Sequence, residues 1–185
     1  TIIASFQAGA VSYLYYADRV YQINLAVAGI AVGTVMLPEL SKHVKNNSSE
    51  QISNLQNRAL ELCLFLSVPA AIALVLASKE IVTSLFGYGS FNNESVTNTA
   101  IALTFFAFGV PAFSILKIFS NFFFARNDTK TPFYLSVVSV ILNITISVSL
   151  FNRFGFVIIP IATSFSSWIN VFMHYYFIKK RDLHI

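Results

Sequence analysis

Residues Gly9 to Ser41 read GAVSYLYYADRVYQINLAVAGIAVGTVMLPELS, a mostly apolar run that carries an adjacent acid and base, Asp18 and Arg19. A helix of about 20 apolar residues crosses the hydrocarbon of a bilayer, so this run is long enough to span one. A charge at membrane depth is expensive and is normally paired, wetted or functional. The chain therefore has to bury or use two charges inside a membrane helix.

The rest of the sequence repeats the theme. Of 185 residues 56% are hydrophobic and 11% charged, where an ordinary soluble domain has about 25% charged residues. The apolar residues fall in long runs, without the short alternating segments of an outer-membrane barrel. The fold class is all-α, a polytopic transmembrane helical bundle. The chain opens at Thr1 with no signal-peptide pattern, and residues 1–8 read as the end of a preceding span, so a piece of a larger protein is expected. A lone cysteine, Cys63, lies in an apolar run and has no partner for an intrachain disulfide.

Five full spans are expected, at about 10–37, 59–77, 97–124, 133–151 and 156–178. Pro38 and Ser41-Lys42-His43 are the stop signal of the first. Glu50 to Arg58 starts a helix at the membrane surface, and Pro69 is a bending point in the second span. Ile81, Val82, Leu85 and Phe86 share one face of a short interfacial helix closed by Gly87-Tyr88-Gly89. Gly109 and Pro111 break the third span, Arg126 to Lys130 is a tight polar loop, and Asn152-Arg153 with Gly155 is a short turn.

The basic residues divide by side. Lys42, Lys45, Arg58, Arg126, Lys130, Lys179, Lys180 and Arg181 fall on one side, and only Lys79 and Arg153 on the other. The positive-inside rule then makes loops 42–57 and 126–131 and the C-terminus cytoplasmic. Topology absorbs the net charge of +4, which removes the case for a nucleic-acid partner.

Two cations remain within spans, Arg19 and Lys117. Helical spacing puts Tyr15, Arg19, Gln22, Ala26, Gly29 and Gly33 on one stripe, polar above and small below. A polar stripe suits an aqueous cavity, and small residues admit a close neighbouring helix. Asp18 points about 100° from Arg19 and need not pair with it. Arg19 is either a cavity residue or a structural, snorkelling arginine; Lys117 has the same two readings. Together they would make a cationic site for an anionic ligand, with Arg suited to phosphate and Lys acting as a point charge.

Other polar residues are read more plainly. Glu61 is interfacial, near Arg58. Asn143, Thr145, Ser147 and Ser149, and Thr163, Ser164, Ser166 and Ser167, are expected to hydrogen-bond between helices, with a small-cation site at Asn143 and Thr163 as the alternative. The phenylalanines face lipid and core, Tyr13, Tyr15 and Tyr16 form an interfacial belt, and Trp168 packs. His43, His174 and His184 lack ligand spacing, so no metal site is read, and no nucleophile motif or phosphate loop argues for an enzyme or a cofactor.

The motifs SYLYYADRVYQ and GIAVGTVMLPELSK, followed by SLFGYGSF and ARNDTKTP in that order, resemble the MurJ (MviN) lipid II flippases of the multidrug/oligosaccharidyl-lipid/polysaccharide exporter superfamily. The resemblance covers essentially the whole chain. It implies a two-lobed protein of fourteen helices, of which this chain would supply the end of the seventh to the twelfth, most of the C-terminal lobe. It also implies alternating access through a cationic cavity in the bacterial cytoplasmic membrane. The partner would be the undecaprenyl-pyrophosphate-linked peptidoglycan precursor, lipid II, beside ordinary membrane lipids. Arg19 and Asp18 match the family's ADR motif and Lys117 matches a lysine of its tenth helix. Gln22 stands where some members carry Glu. Against this stand a related polysaccharide-lipid flippase or drug/cation antiporter, and a non-transporting membrane scaffold; an antiporter for cations would place acids where this chain has Arg and Lys.

Overall fold

A computed structural model of the chain describes residues 4–46, 48–89 and 91–181, and all of the described secondary structure is helical. The helices are α1 (Ala10–Leu25), α2 (Val32–Lys45), α3 (Ser49–Leu76), α4 (Ser78–Phe86), α5 (Asn93–Ala107), α6 (Val110–Phe124), α7 (Lys130–Phe154) and α8 (Ile158–Lys180). A π-helical turn, Ala26–Ala31, joins α1 to α2 without a break. Ala10–Lys45, Ser49–Leu76 and Lys130–Lys180 are long and apolar enough to cross a membrane, and α5 with α6 passes the same test as one span bent by 43°. The Lys130–Lys180 stretch folds back on itself at Gly155. Ser139 donates to the Ser166 carbonyl and Asn143 to Thr163 Oγ1, so α7 and α8 run antiparallel. The chain is a multi-pass membrane protein by these lengths and by its outward apolar side chains, among them Val35, Phe65, Leu76 and Phe172.

Two expected boundaries move. The first helix does not stop at Pro38 but runs through it to Lys45. Proline removes one backbone donor, and in a membrane helix neighbouring polar groups and local adjustment make up for that loss. Lys42, His43 and Lys45 then fill the last turn, where the helix dipole favours cations. The second helix begins at Ser49, so the surface segment and the span are one element, continuous through Pro69. Residues 1–3 lie outside the described residues, and only the short turn Ala4–Phe6 represents the expected end of a preceding span.

Two apolar clusters sit at opposite ends of the bundle. One gathers Ala10, Leu74, Val82, Val96, Phe106 and Phe156; the other gathers Leu40, Ile52, Ala59, Phe122, Phe123 and Ile178. The second lies at the end that carries Lys42, Lys45, Arg126, Lys130 and Arg181. The expected interfacial helix is α4: Val82 is buried and Ile81 and Phe86 pack on the core, while Leu85 stays exposed.

The break in the third span has a clear hydrogen-bond logic. The Gly109 amide turns to the Phe106 carbonyl, so the Phe105 carbonyl loses its helical partner. Ser164 Oγ on α8 donates to that carbonyl at 2.7 Å, and the Trp168 indole donates to the Phe108 carbonyl at 3.0 Å. Backbone carbonyls within a membrane must be satisfied by the protein. Trp168, expected only to pack, is thus also a donor that holds the bend.

Two turns carry predictions. Gly155 has φ 60° and ψ −147°, a region open essentially to glycine alone, and a Cβ there would stand 2.8 Å from Gln7 Oε1. That same oxygen accepts from the Phe156 amide at 2.9 Å. Gly155→Ala should cost roughly 1–3 kcal/mol, read as a lower thermal midpoint of the purified protein. At the other end, Asp128 Oδ1 accepts from the Thr131 amide at 3.0 Å and Oδ2 from the Thr131 hydroxyl at 2.7 Å, while Arg181, the residue after α8, pairs with the same carboxylate.

Partial burial pulls the Asp128 carboxyl up, but the Thr131 bonds and Arg181 outweigh it and hold it below the usual carboxylate value. A depressed carboxyl stabilises the fold above its unfolded pKa of about 4 and ceases to do so as pH falls through the folded value. Asp128→Ala should therefore cost about 1 kcal/mol at neutral pH, mainly from the lost cap. The gap to wild type should close on acidification below about pH 4, measured by thermal unfolding across pH.

Candidate functional site

Arg19 lies on the exposed side of α1, its guanidinium carbon 4.8 Å from the centre of the Tyr15 ring. Tyr15 is one helical turn earlier, so the side chain folds back along its own helix over an aromatic face. Asp18 is occupied elsewhere: it accepts from Gln22 one turn on and interacts with the Tyr21 hydroxyl. No described carboxylate pairs with Arg19. Gln22 is thus the partner of Asp18, and a ligand role for it would require breaking that bond.

Below this level the helix turns its other side inward. A π turn takes in one extra residue, which rotates the face below it by about 100°. Ala26 is exposed, whereas Gly29 and Gly33 are buried against α6. A Cβ on Gly29 would stand 3.1 Å from the Ser114 Cα, and one on Gly33 2.8 Å from Asn121 Nδ2. Asn121 Nδ2 donates to the Gly33 carbonyl at 2.8 Å across the same contact. The small half of the stripe does admit a close helix, but the polar half does not continue straight onto it.

Lys117 belongs to the lower level. Its Cγ lies 3.4 Å from the place a Gly29 Cβ would occupy. It lines a cavity of about 230 Å3 with Gly29, Gly33, Thr34 and Asn121. It also lines a second, of about 310 Å3, with Tyr21, Leu25, Ser120, Asn170 and His174. Arg19 lines neither. Ten residues separate Arg19 from Gly29, about 15 Å along the helix. The two cations therefore do not form the single cluster expected of them. They stand at two depths along α1–α2 and α6.

The remaining candidates resolve simply. Asn143 Nδ2 donates to Thr163 Oγ1 at 3.0 Å and reaches Ser166 Oγ at 3.4 Å, so this pair bridges α7 and α8. Tyr16 packs on Phe86 and Phe91, and Tyr13 on Phe156. Glu61 and Arg58 are both exposed, and His184 lies outside the described residues. No group of three or more His, Cys, Asp or Glu is placed to hold a metal among the described residues. Sequence reasoning missed Asn121 and Asn170 and weighed His174 only as a metal ligand; the sign available was polar residues at helical spacing inside apolar spans.

The family model described as lipid II flippase MurJ matches residues 1–185. The chain belongs to the MurJ family. A probable lipid II flippase MurJ of Rhizobium meliloti (strain 1021) is 43% identical over 173 residues, which cover 94% of this chain and 32% of the relative. One of Rickettsia prowazekii (strain Madrid E) is 38% identical over 184 residues, 99% of this chain and 36% of the relative. A solved structure, lipid II flippase MurJ in an inward closed conformation, superposes with a TM-score of 0.87 at 27% identity, over 94% of this chain and 37% of the other. The chain spans about a third of the length of these MurJ relatives. The expected helical, membrane-embedded fold of that family is the one observed.

Proposed function

We propose that the protein of which this chain is part moves lipid II from the inner to the outer leaflet of the bacterial cytoplasmic membrane, as a transporter and not an enzyme. The observation that carries the reading is Arg19, an exposed guanidinium inside a membrane helix with no described carboxylate paired to it. A charge kept there without an acid serves an anionic ligand. Arginine suits a pyrophosphate because its fork of donors matches phosphate oxygens. The match to relatives named as lipid II flippases points to which pyrophosphate.

The chain supplies five membrane crossings: α1 through α2, α3, the bent pair α5–α6, α7 and α8. The end rich in Lys and Arg faces the cytoplasm, as the positive-inside rule requires. Arg19 then stands toward the outer leaflet and Lys117 deeper. The two depths form a ladder: the headgroup passes from one cation to the other as the cavity opens alternately to each side. Rocking of one repeat against another about a midplane site is the usual course of repeat-built transporters. The bend held by Ser164 and Trp168 lies on the helix that carries Lys117.

The test is growth of a bacterium depleted of its own lipid II flippase and supplied with the full-length parent. Rescue by the wild-type protein supports the reading. Failure of a well-expressed, membrane-inserted wild type would move the assignment to another lipid-linked substrate.

A further inference from the structure

The cavity of about 310 Å3 beside Lys117 is lined by two residues, His174 and Asn170, each with a buried acceptor atom that has no partner. His174 is 1% exposed and Asn170 7%. His174 Nδ1 lies 3.0 Å from the Asn170 carbonyl oxygen. A carbonyl can only accept, so Nδ1 carries the proton and Nε2 of the neutral ring is left as an acceptor. That Nε2 has no hydrogen-bond partner, and neither does Asn170 Oδ1. The two side chains are one turn apart on α8, and Phe123 stands edge-on to the imidazole at 5.8 Å, which limits its movement. A buried acceptor left unmade is costly, so the pair calls for a donor.

Among the described residues, Lys117 is the one cationic side chain lining this cavity. Its ammonium has three donors and no acceptor capacity. The side chain is exposed and borders both this cavity and the smaller one beside Gly29 and Gly33. We propose that Lys117 has two seats, and that in the second its ammonium donates to His174 Nε2 and Asn170 Oδ1. His174 and Asn170 are then positioning residues for the lysine. Both acceptors are neutral, so they satisfy the ammonium without neutralising it, and an arriving phosphate can draw it out. The lysine is held inside the protein between encounters and is released by the anion it serves. This deepens the reading of Lys117 as a cavity cation and rests on that reading for its purpose.

The seat itself is tested without transport. The full-length parent in lipid nanodiscs is acylated with the N-hydroxysuccinimide ester of acetate, and the rate at Lys117 is read by mass spectrometry against exposed Lys79 and Lys42. A seated ammonium is shielded, so His174→Leu should raise the Lys117 rate about tenfold, the factor for losing one charged hydrogen bond. His174→Gln, which keeps an acceptor, should stay near wild type. If His174→Leu does not fold, judged by altered Lys79 and Lys42 rates, Asn170→Ala is read in its place and should show a smaller rise. An unchanged Lys117 rate in a folded His174→Leu or Asn170→Ala protein would overturn the proposal. Growth rescue by Lys117→Met would instead remove the substrate role and leave the seat standing.

Discussion

Arg19→Ala in the full-length parent is expected to abolish rescue of a flippase-depleted bacterium, and Arg19→Lys to retain little. The reason is geometric as well as electrostatic. The guanidinium rests over the Tyr15 ring, and both side chains are exposed. A lysine would keep the charge but lose the planar fork that grips two phosphate oxygens. Losing a charge-assisted pair with pyrophosphate should remove roughly 2–3 kcal/mol of binding or more, a fall of about thirtyfold to a hundredfold. Full growth with normally inserted Arg19→Ala would end the claim that Arg19 binds the headgroup. Tyr15→Leu should give a partial loss, because it removes the platform and keeps the charge.

The second large effect is expected from the helix crossing. Gly29→Leu should destabilise the protein by about 1–3 kcal/mol or prevent its accumulation, since overpacking at a close contact forces backbone shifts. The obstacle is the Ser114 Cα, which no rotamer change can move. Gly33→Ala should cost less, because its obstacle is the Asn121 side-chain amide. Ala26→Leu, on the exposed side of the same π turn, should be tolerated. The ranking is measured by thermal midpoint and membrane yield of the three variants. Equal tolerance of Gly29→Leu and Ala26→Leu would contradict the packing described.

Local signals made much of this legible. Gly109 and Pro111 announced the break, Ile81, Val82 and Phe86 the short helix, and Gly155 the hairpin, because each is a backbone or periodicity effect confined to a few residues. What the sequence hid depends on partners far along the chain. Pro38 reads as a stop in water, whereas this helix continues through it. The π turn at Ala26–Ala31 has no local signature, and it separates the faces that a plain helical count had aligned. Arg19 and Lys117, each found from charge and depth, were expected together; they lie at two levels because Lys117 packs beside Gly29, ten residues along the helix from Arg19. Trp168 looked like packing because the carbonyl it serves belongs to Phe108, 60 residues earlier. His174 lacked a metal-ligand spacing, and its orphaned nitrogen emerges only once α6 and α8 are side by side.

The most direct measurement is the fraction of lipid II exposed on the outer leaflet of flippase-depleted cells, read with a periplasm-restricted enzyme that cleaves it. Supplying the wild-type parent should restore that fraction, and Arg19→Ala, inserted at the same level, should leave lipid II on the inner leaflet. Restoration of the outer-leaflet pool by Arg19→Ala would contradict the cationic site, and no restoration by the wild type would contradict lipid II transport itself.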